Sequence, residues 1–524
     1  MAAITNFIGN ATTAFTGYLE LVNKYFSGYV LVVLLIGIGL FYTIRTGFVQ
    51  FRCFGEGLKK VFGGFSLRGG KQSGGLSSFQ ALATAIAAQV GTGNIVGACG
   101  AILVGGPGAI FWMWIIALLG MATIYAEATL AQKTRVVNAD GSVSGGPIYY
   151  IRHAFKGGFG KFLAGFFAVA TILSLGFMGS MVQSNSIGGT VSNAIAQTTG
   201  FTHSFPLLGF DINTVAFIAG IVVVIIAAII LLGGVNRIAS VTEKMVPIMA
   251  AVYIIGCLVV LAIRIEYIPE TFKMIVEYAF NTKAVIGGGI GAAIMIALQN
   301  GAKRGLFSNE AGMGSTPHAH ALAKVDRAHD QGVSAMIGVF IDTFVVLNLT
   351  AFVVISTLYA GGGIGGAGHL LNPDNYAAVG EGLANGGVID NITYANDSLA
   401  QLAFSSAFGE IMGAKAGTIV GSIFVAVCLF FFAFSTILGW NLFGKLNFEY
   451  LTKKKGVIVF TIIALVFILI GSILKVGVVW ELMDFFNYLM VIPNAIALFA
   501  LSRLVVSSLK EGLEAKKAKK NSKK

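Results

Sequence analysis

A short polar cluster, Gly91–Asn94, interrupts an apolar run that is long enough to cross a membrane. Adjacent glycines weaken a helix, and unwound backbone at membrane depth is tolerated only where it lines a cavity. A break here frees the N–H groups of Thr92 and Gly93 to bind an anion, and it frees the carbonyls of Ala87 and Val90 to ligate a cation. The competing interpretation is a packing face of small residues. The density of the cluster favours a site for a zwitterion beside sodium.

A second break is expected about five helices later, because transporter folds built from inverted repeats interrupt the first helix of each half. Two segments compete for it, Gly287–Gly291 and Phe307–Gly312. We prefer the first, with Gly289 at the substrate site, because Lys303 and Arg304 then fall at the cytoplasmic end of the helix. In mid-membrane each cation costs about 2.5 to 3.5 kcal/mol on insertion scales.

Several titratable residues also lie in or near apolar segments. Glu127 and Asp342 are acids within predicted spans, and each is a candidate proton site or gating partner. Glu310, His318 and His320 suggest a metal or acid/base site, but the preferred topology puts them near the cytoplasmic face. We therefore expect a gating or structural role for these three.

The elements that position these residues follow from composition. Hydrophobic residues make up 56% of the 524 residues and charged residues only 11%, against about 25% charged in soluble domains. Lipid cannot satisfy free backbone groups and no alternating barrel strands occur, so the spans are helices. The sequence predicts an all-α polytopic membrane protein with about eleven spans, centred on residues 30–44, 79–103, 110–131, 162–187, 215–232, 245–263, 286–300, 333–358, 419–443, 457–474 and 485–504.

The net charge of +12 is explained by topology, because basic residues collect in alternate loops. The positive-inside rule puts the N-terminus outside and the C-terminus in the cytoplasm of a cell-membrane protein. This distribution gives no reason to expect a nucleic-acid partner. The first helix has no basic segment before Glu20, so we expect it to be retained. The tail Lys510–Lys524 is too polar to pack, so we expect a disordered end with affinity for anionic lipid.

The four cysteines lie in spans or on the cytoplasmic side, and they have no metal-ligand spacing along the chain. Free thiols without a disulfide framework are expected. They are Cys53, Cys99, Cys257 and Cys428.

Three strings resemble the alanine or glycine:cation symporter family, which has the leucine-transporter fold. They are Val90–Gly97, Ser144–Pro147 and, most specifically, Arg304–Ser315. The resemblance covers nearly the whole chain. It implies one extra N-terminal helix and a core of five plus five helices in inverted repeats with two broken helices. The expected divisions are an extra helix and basic loop (1–75), a first repeat (76–265), a second repeat (266–505) with an external loop insertion (361–397), and a basic tail (506–524).

The resemblance also implies a function, the import of small neutral amino acids driven by sodium. Thr92 and Gly93 match the positions whose backbone amides hold the substrate carboxylate, and Asn94 matches a supporting polar side chain. The sodium ligands implied are the carbonyls of Ala87, Val90 and Phe432 and the hydroxyls of Ser435 and Thr436. Five uncharged oxygens suit a monovalent ion better than Ca²⁺. The alternative for the hydroxyls is bonding to carbonyls of their own helix.

Similarity to the family further suggests that Trp440 closes a small side-chain pocket with Ile290 and Ile294. The alternative for Trp440 is a place in the aromatic belt at the membrane interface. Gln183 either faces the substrate amine or only bridges helices. Alanine, glycine, glutamine and D-isomers stay within the expected substrate range, because one methylene changes discrimination by only about 1 to 3 kcal/mol.

Two other functions compete with sodium symport by alternating access. One is the same fold driven by protons through Glu127 or Asp342. The other is a polytopic membrane enzyme, which is disfavoured because the sequence contains no HExxH or GxSxG motif.

Overall fold

The computed structural model describes residues 15, 17–63, 76–139, 141–207, 210–280, 290–362, 388–389, 392–393, 396–474 and 476–522. These residues are mostly helical, with three two-stranded hairpins. The helices are α1 (Gly17–Arg45), α2 (Val49–Arg52), α3 (Phe54–Phe62), α4 (Ser78–Gln89), α5 (Gly93–Gly105), α6 (Gly108–Thr134), α7 (Pro147–Ala154), α8 (Gly157–Thr199), α9 (Thr214–Leu231), α10 (Gly234–Ile263), α11 (Ile268–Phe280), α12 (Ile290–Asn309), α13 (Pro317–Leu322), α14 (Ala328–Leu358), α15 (Asn396–Met412), α16 (Ala414–Thr452), α17 (Val457–Ile473), α18 (Val476–Ala500) and α19 (Ser502–Asn521).

The remaining elements are short. Single 3₁₀ turns cover Ile265–Tyr267 and Ala360–Gly362. The antiparallel hairpins pair β1 (Val136–Val137) with β2 (Val143–Ser144), β3 (Ser204–Leu207) with β4 (Phe210–Asn213), and β5 (Val388–Ile389) with β6 (Ile392–Thr393).

The prediction of an all-α polytopic membrane protein is confirmed. Within the described residues, eight helices are long and apolar enough to cross a membrane, and the bent pair of α4 and α5 adds a ninth. Each of the eleven predicted spans overlaps a helix, the shorter α17 included. The division into repeats at 265 stays a prediction. Most of the proposed insertion at 361–397 lies outside the described residues.

The first predicted break is present at Val90 and Gly91. Helix α4 begins with a capping box between Ser77 and Gln80 and ends at Gln89, where Val90 leaves helical geometry with φ −78° and ψ 89°. The chain then bends by 47° into α5, whose first turns form a π-helix over Gly93–Gly97. Such π turns occur frequently at functional sites.

A second break is present in the described residues, at the other of the two candidate segments. Helix α12 runs without interruption to Asn309, Glu310 takes a left-handed φ of 58°, and α13 begins only at Pro317. A break therefore stands in the segment that the sequence argument rejected. Residues 287–289 of the preferred segment, Gly287–Gly291, lie outside the described residues.

The sequence argument disfavours this segment because Lys303 and Arg304 would each carry a free-energy cost in mid-membrane. The structure shows partners that offset this cost. Lys303 Nζ lies 2.6 Å from the carboxylate of Asp484, which is 2% exposed. The Arg304 guanidinium lies 4.5 Å from the centre of the Trp480 ring. Helix α18 thus supplies partners that the local sequence does not reveal.

The two broken helices pack against each other half by half. Helix α4 contacts α13, while α5 contacts α12. At the α4–α13 end, Leu76 donates its N–H to the carbonyl of Leu322 (3.0 Å) and accepts from the N–H of Lys324 (2.9 Å). This short parallel bridge joins the start of one broken helix to the end of the other.

The C-terminal tail also corrects an expectation, because it is helical to Asn521 instead of disordered. Glu511 pairs with Lys133 at 2.8 Å, and Lys516 pairs with Glu56 at 2.9 Å. Gly512 allows close packing, since a Cβ there would lie 2.2 Å from the His329 ring. Tertiary partners therefore order a segment whose composition alone predicts disorder.

Candidate functional site

Five uncharged oxygens meet where α16 passes the first break. Ser435 Oγ lies 3.2 Å from the Ala87 carbonyl oxygen and 2.8 Å from that of Phe432. Thr436 Oγ1 lies 3.0 Å from the Ala87 oxygen, 3.4 Å from the Val90 oxygen and 3.1 Å from the Phe432 oxygen. The structure thus brings together all five groups that the resemblance implied as sodium ligands. Both hydroxyls also bond to the Phe432 carbonyl of their own helix, so the alternative interpretation describes part of the geometry.

Gly91 makes this approach possible. A Cβ at residue 91 would lie 2.3 Å from Thr436 Oγ1 and 3.2 Å from Gln183 Oε1. No side chain fits between the break and α16 without moving one of them. The glycine is therefore required by the proximity of a hydroxyl as well as by the bend.

Thr92 and Gln183 contact each other at the same break. The N–H of Thr92 donates to Gln183 Oε1 at 3.1 Å, so Gln183 bridges α8 to the unwound segment. Both side chains are fully buried, yet Thr92 Oγ1 and Gln183 Nε2 have no hydrogen-bond partner. Buried polar atoms are nearly always paired. This pair of atoms therefore marks a place where a polar ligand can bind.

Gly93 and Asn94 connect the first break to other helices. A Cβ at Gly93 would lie 3.0 Å from both the Phe307 ring and the Ser308 Cα, so the residue lets the second broken helix approach. Asn94 accepts the N–H of Gly91 at 3.0 Å and donates to Asp342 Oδ1 at 2.7 Å. The side chain of Asn94 thus fixes the shape of the break from within.

Asp342 links the two broken helices by hydrogen bonds. It lies in the π turn Phe340–Leu347 of α14 and is fully buried. Besides Asn94, its carboxylate accepts from Ser308 Oγ at 2.7 Å and from Thr343 Oγ1 at 3.0 Å. Hydrogen bonds to a buried carboxylate compensate part of its lost hydration.

Trp440 packs against Phe307 and Glu310 at the second break, and these three residues are called the wall below. Its indole N–H donates to Glu310, and its ring packs edge-on against Phe307 with the centroids 5.6 Å apart. The indole is 1% exposed, which excludes the interfacial-belt alternative. Gly179 makes room for it, because a Cβ there would lie 2.5 Å from the indole.

Ile290 and Ile294, the predicted partners of Trp440, begin α12, but their side chains lie outside the described part of the structure, so their place in the pocket stays a prediction. They precede Phe307 by 17 and 13 residues of continuous helix, which is roughly 25 and 20 Å at 1.5 Å per residue. The residues near Trp440 that the sequence argument missed are Phe307 and Ser308, although both belong to the family-like string.

Glu310 and Glu127 support the loop of the second break. Glu310 accepts from Ser315 as well as from Trp440, so it lines the wall at the breaks and does not serve a separate cytoplasmic site. Glu127 accepts from the Gly312 N–H at 3.2 Å and from Asn494 Nδ2 at 2.6 Å. Both acids have structural partners on the loop 310–316 or beside it.

The two histidines of α13 are buried and have separate hydrogen-bond partners. His318 Nε2 lies 2.8 Å from Asn447 Nδ2, and its ring lies between Phe167 and Phe443. His320 Nδ1 lies 2.9 Å from Gln331 Nε2. These contacts fit the structural role that the sequence predicts.

A fold of membrane-spanning helices with a break that faces a hydroxyl-bearing helix defines a class, the multi-pass transporters of the leucine-transporter type. The structure resembles that of MhsT in complex with L-phenylalanine, with a TM-score of 0.55, 14% identity and coverage of 84% of this chain and 96% of that one. This likeness shows the fold. The chain belongs to the sodium:alanine symporter family, whose model matches residues 12–524.

Three similar proteins have names that are consistent with membership of this family. The chain is 38% identical to the sodium/alanine symporter AgcS of Methanococcus maripaludis, over 96% of this chain and 98% of AgcS. It is 35% identical to the probable sodium/glutamine symporter GlnT of Bacillus subtilis, over 94% and 89%. It is 34% identical to a putative sodium/proton-dependent alanine carrier of the same organism, over 92% and 89%. The protein is thus an amino-acid transporter of the sodium/alanine symporter type.

Proposed function

We propose that the protein imports small neutral amino acids, alanine or glycine, together with sodium. The observation that carries this proposal is the group of five uncharged oxygens between the first break and α16. A cluster of carbonyl and hydroxyl oxygens without a formal charge suits a monovalent hard cation. Rotation of the Ser435 and Thr436 hydroxyl protons frees lone pairs for the ion.

The substrate site lies beside the ion, on the same unwound segment. The N–H groups of Thr92 and Gly93 bind the carboxylate, with Gln183 turning from Thr92 toward the ligand. The unpartnered Thr92 Oγ1 and Gln183 Nε2 support this placement, because a bound amino acid gives both a partner. Trp440 and Phe307 limit the space for the substrate side chain. The relative AgcS is a sodium/alanine symporter, which also favours alanine as the substrate.

Coupling follows from this shared segment. The carbonyls of Ala87 and Val90 end the first half-helix, and Thr92 lies two residues beyond Val90. An ion that fixes these carbonyls also fixes the adjacent amides, so each ligand strengthens the binding of the other by the same factor. Alternating access then carries both across the membrane.

The proposed orientation puts the N-terminus outside and the C-terminus in the cytoplasm. The ion pair between Lys516 of α19 and Glu56 of α3 supports one part of it, since the tail and the first basic loop then share a side. A fluorescent protein fused to the C-terminus should be fluorescent in cells. An alkaline phosphatase fusion at the same point should be inactive.

The test of sodium coupling is uptake of labelled alanine into proteoliposomes under a sodium gradient. Thr436→Val removes one ligand oxygen, and we expect the sodium concentration for half-maximal uptake to rise about tenfold, because one lost interaction of about 1.4 kcal/mol has that effect. Thr171→Val is the control, since Thr171 is equally buried and bonds only to the Phe167 carbonyl of its own helix. Alanine uptake by the wild-type protein that does not depend on sodium would contradict the proposal.

Proton coupling through Asp342 is the second candidate. The observation that favours it is a fully buried carboxylate that touches both broken helices through Asn94 and Ser308. Sodium coupling predicts that alanine uptake under a sodium gradient survives a protonophore and that Asp342→Asn retains sodium dependence. If the protonophore stops uptake and external sodium does not matter, the proton-coupled alternative holds.

A further inference from the structure

A cluster of metal-ligating side chains lies away from the transport site, where the first loop meets the start of α14. Cys53 separates α2 from α3, Glu56 lies in the first turn of α3, and His329 is the second residue of α14. One ligand atom from each lies within 4.8 Å of the other two. Cys53 and His329 are each 1% exposed. Three different ligand types thus converge in a largely dry environment.

The His329 ring is held so that one nitrogen faces the cluster. Its Nδ1 lies 2.8 Å from the hydroxyl oxygen of Tyr125 on α6. Its Nε2 lies 3.4 Å from Glu56 Oε1 and makes no hydrogen bond. In the tautomer with the proton on Nδ1, Tyr125 orients the imidazole and the Nε2 lone pair is free to bind a metal. A hydrogen bond at the remote nitrogen is the usual support for a metal-ligating histidine.

Glu56 has one oxygen for the cluster and one for the tail. Its Oε2 lies 2.9 Å from Lys516 Nζ, while Oε1 faces His329. The interpretation without a metal is a pair of contacts from Glu56, with Lys516 through Oε2 and with His329 Nε2 through Oε1, beside a buried thiol. That interpretation accounts for both oxygens of Glu56, but it gives the Cys53 thiol no part in the cluster. The convergence of a thiol, an imidazole nitrogen and a carboxylate oxygen within 4.8 Å of one another is what points to a metal ion.

The ligand set selects the kind of ion. Thiolate, imidazole and carboxylate bind Zn²⁺ at about 2.0 to 2.3 Å, which puts ligand atoms roughly 3.3 to 3.8 Å apart in a tetrahedron. The 3.4 Å between His329 and Glu56 already fits this spacing. A thiolate and a carboxylate neutralise a divalent ion, so the loaded site carries no net charge. Mg²⁺ and Ca²⁺ are disfavoured, because they prefer oxygen ligands.

We propose that Cys53, Glu56 and His329 bind one divalent transition-metal ion of the Zn²⁺ class. Binding releases the thiol proton of Cys53, and the fourth coordination position is open to water. The ion joins α3 to the start of α14 beneath α19, whose Gly512 lies against the His329 ring. Metal occupancy therefore stabilises the cytoplasmic face together with the docked tail.

The test measures Zn²⁺ bound to the purified full-length protein, without a metal-binding tag, after dialysis against chelator and reloading. We expect one Zn²⁺ per chain by mass spectrometry of the metal, and thiolate absorption when Co²⁺ replaces Zn²⁺. Cys53→Ser and His329→Gln should each lower the affinity at least tenfold and remove the rise in Tm that Zn²⁺ causes. Cys257→Ser is the matched control, because Cys257 is an equally buried free thiol outside the cluster.

The outcomes are distinguishable from those of the transport assays. Equal Zn²⁺ binding by wild type and Cys53→Ser overturns the proposal, and so does a wild type that retains no Zn²⁺ at micromolar concentration. Glu56→Gln provides a second variant if Cys53→Ser does not elute as a folded protein. Lys516→Ala should keep the metal, because Lys516 holds only the second oxygen of Glu56.

Discussion

Each of the two breaks interrupts a helix, but the local sequences of the two breaks differ. The first consists of small uncharged residues within an apolar run, and a Cβ at Gly91 or Gly93 would come within 3.0 Å of atoms from other helices. The second follows two cations and contains Glu310 with a left-handed backbone. Its polar groups find partners on α16 and α18, far away in sequence. Both breaks are thus supported by remote segments, and the first is visible in the local sequence because its residues are small and uncharged.

The strongest test of the first break adds a side chain at Gly91. Gly91→Val should abolish sodium-dependent alanine uptake, a loss of more than 100-fold, because even a Cβ lies 2.3 Å from Thr436 Oγ1. Gly97→Ala is the control from the same segment, since its Cβ meets only one backbone oxygen at 3.9 Å. Comparable loss in both variants would mean that general helix disruption, not the approach of Thr436, explains the result.

The second break is tested through its buried ion pair. Lys303→Met leaves the Asp484 carboxylate without its cation at 2% exposure, and we expect destabilisation of about 3 to 5 kcal/mol. Lys133→Met breaks a pair in which Glu511 is 55% exposed, and it should cost less than about 1 kcal/mol. Thermal unfolding in detergent measures both. A larger fall in Tm for Lys133→Met would contradict the importance of the buried pair of Lys303 and Asp484.

The link between the breaks has an intermediate expected effect. Gln89 Nε2 donates to the Asn309 carbonyl at 2.7 Å, which joins the end of α4 to the end of α12. Gln89→Leu should weaken alanine binding about tenfold. The substitution leaves the Asn309 carbonyl without its hydrogen bond, at a free-energy cost of about 1 to 3 kcal/mol. Calorimetric titration with alanine at saturating sodium checks this. Gln50→Leu, another buried amide whose bond to Thr43 is remote from both breaks, should bind alanine normally.

The smallest effect is expected at the tail, whose attachment contrasts with the buried partners of both breaks. Lys516 is 55% exposed, so Lys516→Gln should lower stability by less than about 1 kcal/mol. The difference in Tm from wild type should shrink in high salt, because exposed pairs are screened. A difference that is independent of salt would show that α19 is held chiefly by its apolar contacts.

Sequence reasoning was most reliable where one stretch of chain contains both signal and cause. Composition and apolar runs were enough for the helical membrane fold, and Gly91 marked the first break. The five oxygens around Thr436 came from family resemblance, since nothing local joins residue 87 to residue 435. The second break, the wall of Trp440 with Phe307, and the ordered tail depend on contacts between remote segments. Cys53 and His329 are likewise 276 positions apart, so no spacing motif could join them.

The backbone bridge between Leu76 and residues 322–324 constrains how α4 and α13 can move relative to each other. If α4 swung away alone, two main-chain hydrogen bonds would have to break in the same step. Joint displacement of α4 and α13 keeps both bonds, so we expect the two helices to move as one rigid unit during transport. A crosslink between α4 and α13 should then leave turnover intact, whereas a crosslink between this unit and a neighbouring helix should arrest it.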